Sequence, residues 1–177
     1  LRRSWYYEQL KHRAPWLIER SKNEVNAFLV ELGKFEREEP YNPTLIEFRY
    51  NSLIHSIIER NYQDRPVYAT QEIESQYTLG YTRVPSGLSF RLYRDSTAHV
   101  PQIPLFSYHP PQKTDKYIEG IMSQYSSAYL NSAIYLDISG KQDIALPLVE
   151  KALEIQPNMP QGLYLKDKIE KSLNIAR

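Results

Sequence analysis

The chain has 177 residues, with 22 Lys and Arg against 21 Asp and Glu, for a net charge of +1. That length suits one sizeable domain with an appendage and leaves no room for two separate enzymes. The balanced charge argues against a surface built wholesale for nucleic-acid phosphates or anionic lipid, and the lack of cysteine excludes disulfides, thiolate chemistry and cysteine-ligated zinc. No apolar run approaches the ~18 residues of a membrane span. The opening LRRSW, without methionine, reads as a piece of a longer protein. Tyrosine is abundant at 15 and glycine scarce at 6, which favours a helix-rich fold with an amphipathic aromatic surface over phosphate-cradling loops.

In chain order, SWYYEQLKHR (4–13) predicts a short helix capped by Ser4 and stopped near Pro15. From Trp16 to Glu38, the spacing of Ile18, Val25, Phe28, Leu32 and Phe35 predicts one amphipathic helix. PYNP (40–43) breaks the chain. Thr44 then caps a second helix that carries Ile46, Tyr50, Leu53, Ile54, Ile57 and Ile58 inward and lies antiparallel to the first. Residues 65–73 and 86–94 read as strands, the latter alternating Leu88, Phe90 and Leu92 with Ser89, Arg91 and Tyr93. The proline-rich stretch 95–113 reads as an extended connector and the subdomain seam. From Asp115 the pattern turns helical again, with Tyr117, Ile121, Tyr125, Tyr129 and Leu136 on one face. The expected fold is α+β and predominantly helical, with amphipathic helices of the first half packed on a small sheet. Its expected organisation is a helical and small-sheet subdomain at 1–94, the connector at 95–113 and a helical segment at 114–177.

Within GKQDIALPLVEKALEIQP (140–157), Gly140, Ala145, Ala152 and Pro157 follow one another at intervals of five, seven and five residues. Ser126–Met159 resembles a tetratricopeptide repeat, which packs two antiparallel helices into about 34 residues. Tyr129 falls on the large aromatic position, Ala133, Ala145 and Ala152 on the small ones, and Gly140 in the turn. Small side chains are needed because crossing helices approach to about 8–10 Å, and bulk there would hold them apart. Ser132, Leu136 and Val149 depart from the pattern, and Pro147 would kink the second helix if it lies beyond the first turn. Residues 160–177, with Leu165, Ile169 and Leu173 four apart, resemble the cap that closes repeat arrays. The pattern would present Ser127, Leu130, Ile134, Asp137 and Ile138 on the groove-facing side of the first helix, a mixed surface suited to a protein or peptide partner.

Catalytic motifs are not evident, and no catalytic, metal-ligating or cofactor-binding residue is assigned. His12, His55, His99 and His109 form no helical i, i+4 pair. Glu36, Glu38 and Glu39 read as a solvated face, and Glu72 and Glu74 as a carboxylate pair of unknown separation. Trp5, Tyr7, Arg65 and Tyr68 offer flat faces and a guanidinium suited to a glycan, with packing between helix and strand as the default use.

Three short motifs in order resemble one family. Trp5, Tyr6, Gln9 and Leu10 match a W-Y-I-x-Q-L element, Arg65 to Tyr68 an R-P-V-Y-F strand, and Gly87, Leu88, Arg91 and Leu92 a G-L-x-Y-R-L strand. The chain is similar to the soluble carboxy-terminal region of membrane glycosyltransferases of the GT-C type related to protein O-mannosyltransferases. Tyr7, Ala69 and Phe90 depart from that pattern conservatively. The resemblance implies an extracytoplasmic, periplasmic domain of a transferase dependent on a lipid-linked sugar, whose partners are the attached membrane domain and an acceptor polypeptide. The catalytic residues of such a parent have no matching positions here. Arg2, Arg3, Lys11 and Arg13 would suit a cytoplasmic flank instead. The alternative is a free-standing, cytoplasmic tetratricopeptide scaffold unrelated to glycosylation.

Overall fold

The computed structural model describes residues 3–107, 109 and 111–175. Arg2 of the basic flank, and Tyr108 and Pro110 of the expected connector, lie outside the described residues. The fold is α+β and predominantly helical, with seven α-helices and one three-stranded antiparallel sheet among the described residues. It divides into two compact units, Leu1–Val67 with Glu74–Leu79, and Tyr68–Ile73 with Gly80–Arg177.

The first unit holds α1 (Ser4–Arg13), α2 (Pro15–Arg20), α3 (Lys22–Glu36), α4 (Pro43–Tyr62) and a 3-10 turn at Ser75–Thr78. Ser4 does not cap α1 through its own side chain. Its N–H donates to Glu36 Oε1 at 3.0 Å, so a carboxylate from the end of α3 serves that terminus. These hydrogen bonds from Ser4 also hold the Glu36 carboxyl below its usual range. The single helix expected over 16–38 is broken at Ser21, which is fully buried and bonded side chain to side chain with Ser56 of α4 at 3.1 Å. α4 is capped by Asn42, whose Oδ1 accepts from the Leu45 N–H at 3.2 Å, and not by Thr44; Pro43 takes the first helical position, where its missing N–H costs nothing. At the end of α3, Glu38 adopts a left-handed φ of 59° and the Glu39 N–H reaches back to the Lys34 carbonyl. The core joins Tyr7, Ile18, Val25, Phe28, Leu32 and Leu53. Ring contacts run Tyr7 to Phe28 at 5.9 Å, Phe28 to Tyr50 at 5.4 Å and Tyr50 to Tyr77 at 5.4 Å.

The second unit holds β1 (Tyr68–Thr70), β2 (Thr82–Ser86), β3 (Ser89–Tyr93), α5 (Lys116–Ile138), α6 (Gln142–Ile155) and α7 (Pro160–Ile175). Strand order is β1-β3-β2, with Ala69 opposite Phe90 and Val84 opposite Arg91. The strand expected over 65–73 shortens to three residues. β2 was not foreseen because Pro85 cannot donate to a ladder; it is tolerated because β2 is an edge strand, where Pro85 instead accepts from the Gln102 N–H at 3.0 Å. Gly87, at φ 58°, supplies the left-handed backbone that the two-residue β2–β3 turn needs. The sheet groups with the C-terminal helices, β2 lying against α5, so the division expected at residue 94 is not where compactness separates the chain.

The described residues of 95–113 form no helix or strand, as expected, but they are stitched to this unit and are not a free seam. Tyr135 Oη accepts from the His99 N–H at 3.1 Å and donates to the His99 carbonyl at 3.0 Å, while Phe106 meets Tyr125 edge-on at 4.8 Å. His99 stacks on Tyr93 with centroids 3.5 Å apart, and its Nε2 lies 2.7 Å from Asp95 Oδ1. Hydrogen bonds from Thr97 and then His99 lower the Asp95 carboxyl from 3.8 to about 2. A depressed carboxyl stabilises the fold above its unfolded pKa and loses that contribution as pH falls through the folded one. The urea midpoint of the wild type should therefore exceed that of Asp95→Asn at pH 5, and the two should converge between pH about 4 and about 2.

α5 starts at Asp115, whose Oδ1 accepts from the Ile118 N–H at 2.8 Å. A three-residue turn then reverses the chain into α6: Gly140 sits at φ 73° and the Lys141 N–H bonds the Leu136 carbonyl at 2.8 Å, closing the helix as a glycine-capped end does. Ala133, Ala145 and Ala152 are fully buried in one core with Tyr129, Leu136, Val149 and Ile169, and Ser126 Oγ donates to the Ala152 carbonyl at 2.9 Å, so the backbones do approach closely where the small residues lie. Pro147 lies beyond the first turn of α6, which continues through it; lacking an N–H, it leaves the Asp143 carbonyl without its helical partner. Of the face predicted on α5, Tyr129 and Leu136 are buried, while Tyr117 remains 78% exposed.

Candidate functional site

α5 presents Ser123, Ser127 and Leu130 at three- and four-residue spacing, so they share one face. That face is the floor of a trough in the second unit. On one side the α6–α7 corner, from Ile155 to Gln161, closes a hollow of about 760 Å³. On the other, Gln71 and Glu72, which follow β1, close a smaller and more polar hollow of about 390 Å³ over Gly120, Gln124 and Asn131. Ser123, Ser127, Leu130 and Gln161 line both, so the two hollows adjoin along α5. The volumes fall in the range of roughly 300–1,000 Å³ typical of ligand sites.

The lining is short on charge. Glu72 is the one acidic or basic side chain among the described residues that line either hollow, and its Oε1 accepts from Gln124 Nε2 at 3.2 Å. Gln71 is different: both its Nε2 and its Oε1 are buried without a hydrogen-bond partner. Leaving a buried donor or acceptor unmade costs roughly 1–3 kcal/mol.

Of the residues expected to face a partner, Ser127 lies half-buried on the trough floor, whereas Leu130 borders the trough but is only 4% exposed, packed into the core with Tyr129 and Ala133. Ile134 and Ile138 continue the same helical row beyond it, 36% and 80% exposed. Asp137 does not join them. Its side chain is buried, with Lys168 Nζ at 2.6 Å from Oδ2 and Gln142 Nε2 at 3.2 Å from Oδ1, because this turn of α5 also faces α6 and α7. The pairing with Asp137 raises the Lys168 pKa.

The residues singled out for glycan binding are divided between the two units. Trp5 is exposed beside Glu8, Glu36 and Arg37 in a hollow of about 300 Å³, and Arg65 spreads its guanidinium over the Trp16 ring at 4.0 Å; both belong to the first unit. Tyr68 belongs to the second, half exposed on β1. Tyr7 is wholly buried against Phe28, and burial, with Tyr50 and Tyr6 adding to it, raises its hydroxyl well above the ordinary phenol range; its ring faces are closed to a sugar.

A further hollow in the first unit, about 410 Å³, is lined by Phe28, Leu32, Phe35, Tyr41 and Tyr50 with Arg3 and Glu47. Sequence reasoning read Phe28, Leu32 and Phe35 only as the apolar stripe of an amphipathic helix. Glu47 is already engaged by Tyr77 Oη at 2.9 Å, so the hollow holds no orphaned acceptor comparable to Gln71. Sequence reasoning missed Gln71, Ser123 and Gln161. The one signal for Ser123 was its position a turn before Ser127. Comparison with family models, with curated proteins and with solved structures finds no match to this chain.

Proposed function

We propose that this chain is a non-catalytic interaction module whose α5 trough engages an extended polypeptide. The observation that carries the reading is the trough itself: hydroxyls and amides along its length, Ile155 and Met159 set among them at the α6–α7 corner, and an exposed row at Ile134 and Ile138 leading away from it. Such alternation of polar and apolar lining suits main-chain hydrogen bonding with side-chain pockets between. The parent we propose is a membrane glycosyltransferase of the GT-C type related to protein O-mannosyltransferases. The module would sit on the extracytoplasmic face beside the membrane domain, with an acceptor polypeptide as ligand. The support is the motif order: Trp5, Tyr6, Gln9 and Leu10 lie on α1, Tyr68 opens β1, Gly87 and Leu88 form the hairpin turn, and Arg91 and Leu92 lie in β3.

Two measurements test this. Fluorescence anisotropy of the purified chain with labelled unstructured peptides should show binding that Ser127→Arg, which fills the trough floor, weakens at least about tenfold, equivalent to about 1.4 kcal/mol; unchanged binding would remove the trough from the mechanism. The gene upstream of Leu1 should encode repeated apolar spans of about 20 residues. A start codon close by would instead favour the free-standing scaffold.

A further inference from the structure

We infer that Gln71 anchors the backbone of the bound polypeptide, pairing its carboxamide with one peptide unit of the ligand; this rests on the trough being a peptide site. A primary carboxamide presents an acceptor and two donors in one plane, the complement of a peptide C=O and N–H. Both polar atoms of Gln71 are buried without a partner, in a residue that lines the polar end of the trough. Native folds rarely leave buried groups unpaired, and each exception asks for a reason; Glu24 and Asn51 also carry an unpaired buried oxygen, but of the three only Gln71 lines the trough, where a bound ligand would supply the partner. Reaching a ligand asks Gln71 only to swing into the hollow it lines, a rotamer change of the kind common at binding surfaces.

The surroundings choose the ligand class. A pyranose is best held against a flat aromatic face, and no aromatic residue among the described residues lines either hollow. An extended peptide finds what it needs: hydroxyls and amides from Ser123, Ser127 and Asn131 near Gln71, and a larger hollow beside them where Ile155 and Met159 offer apolar surface to a side chain among further amides. Because Glu72 is the one acidic or basic side chain among the described residues lining the trough, the ligand is neutral or basic rather than acidic. The site thus reads an extended segment with an apolar residue at the α6–α7 corner and a neutral or basic residue toward Glu72.

The test uses the full chain and a labelled pool of short peptides of Ala, Leu, Ser and Lys, beside the same pool N-methylated at alternate backbone amides. Gln71→Met keeps the side-chain length and removes the hydrogen bonding. It should bind the unmodified pool about tenfold more weakly, the loss of two ordinary hydrogen bonds, and melt no lower than wild type because the buried polar atoms are gone. The wild type should discriminate against the N-methylated pool. Wild-type affinity in Gln71→Met, together with lost binding in Ser127→Arg, overturns the anchor and leaves the trough standing. Equal wild-type binding of both pools, or a marked fall in melting temperature of Gln71→Met, also overturns the anchor. If the wild type binds neither pool, or binds methyl mannoside through Gln71 instead, the trough reading falls with it.

Discussion

Ala145→Leu is expected to destabilise the C-terminal unit by about 3 kcal/mol, toward the upper end for an overpacked core. Ala145 is fully buried in the core shared by α5, α6 and α7, and Ser126 Oγ already touches the Ala152 carbonyl across the same interface at 2.9 Å. Close-packed interiors have no slack for three further carbons, so α5 and α6 must move apart or leucine must take a strained rotamer. Urea unfolding followed by far-ultraviolet circular dichroism gives the number. Ile144→Ala is the control: its side chain is 42% exposed on the same helix, and its loss should cost under about 1 kcal/mol. If Ala145→Leu were as mild as Ile144→Ala, the small residues would not be setting the distance between the helices.

Tyr7→Ala should cost about 3–5 kcal/mol, the usual range for emptying a buried aromatic site. Tyr7 is the largest fully buried side chain, packed with Phe28 and within the cluster that also holds Val25, Leu32 and Leu53. Its neighbour Trp5 is 61% exposed, and Trp5→Ala should change stability by under about 1 kcal/mol although more atoms are removed. The contrast between two aromatics two residues apart on one helix is measurable by the shift in urea midpoint. Equal losses would mean that α1 is rotated from the orientation described.

The same pair shows what the sequence could and could not reveal. Trp5, Tyr6 and Tyr7 are chemically alike, and helical phase with Leu10 groups Tyr6 and Tyr7 on one face; what separates the one that packs inward is its contact with Phe28 on α3. The α5–α6 hairpin was legible because its glycine and alanines are local to the two helices that cross. The strands were less so: Pro85 masked β2, and the break at Ser21 depends on Ser56, a partner 35 residues away. The trough was half legible. Ser127 and Leu130 follow from helix phase, but its walls come from residues 71–72 and 155–161, which no local pattern connects. Asp137 was misplaced for a related reason, since its burial is decided by Lys168 on a third helix.

The division of the chain carries one more consequence. Because Glu74–Leu79 returns to the first unit after β1 has been contributed to the second, the polypeptide changes unit at residues 67–68, 73–74 and 79–80. No single cut yields two intact halves: truncation before residue 80 severs β1 from its sheet, and truncation at 95 separates β2 from α5. A recombination event that swapped either part alone would deliver an incomplete piece, so the two are constrained to be inherited, and lost, together.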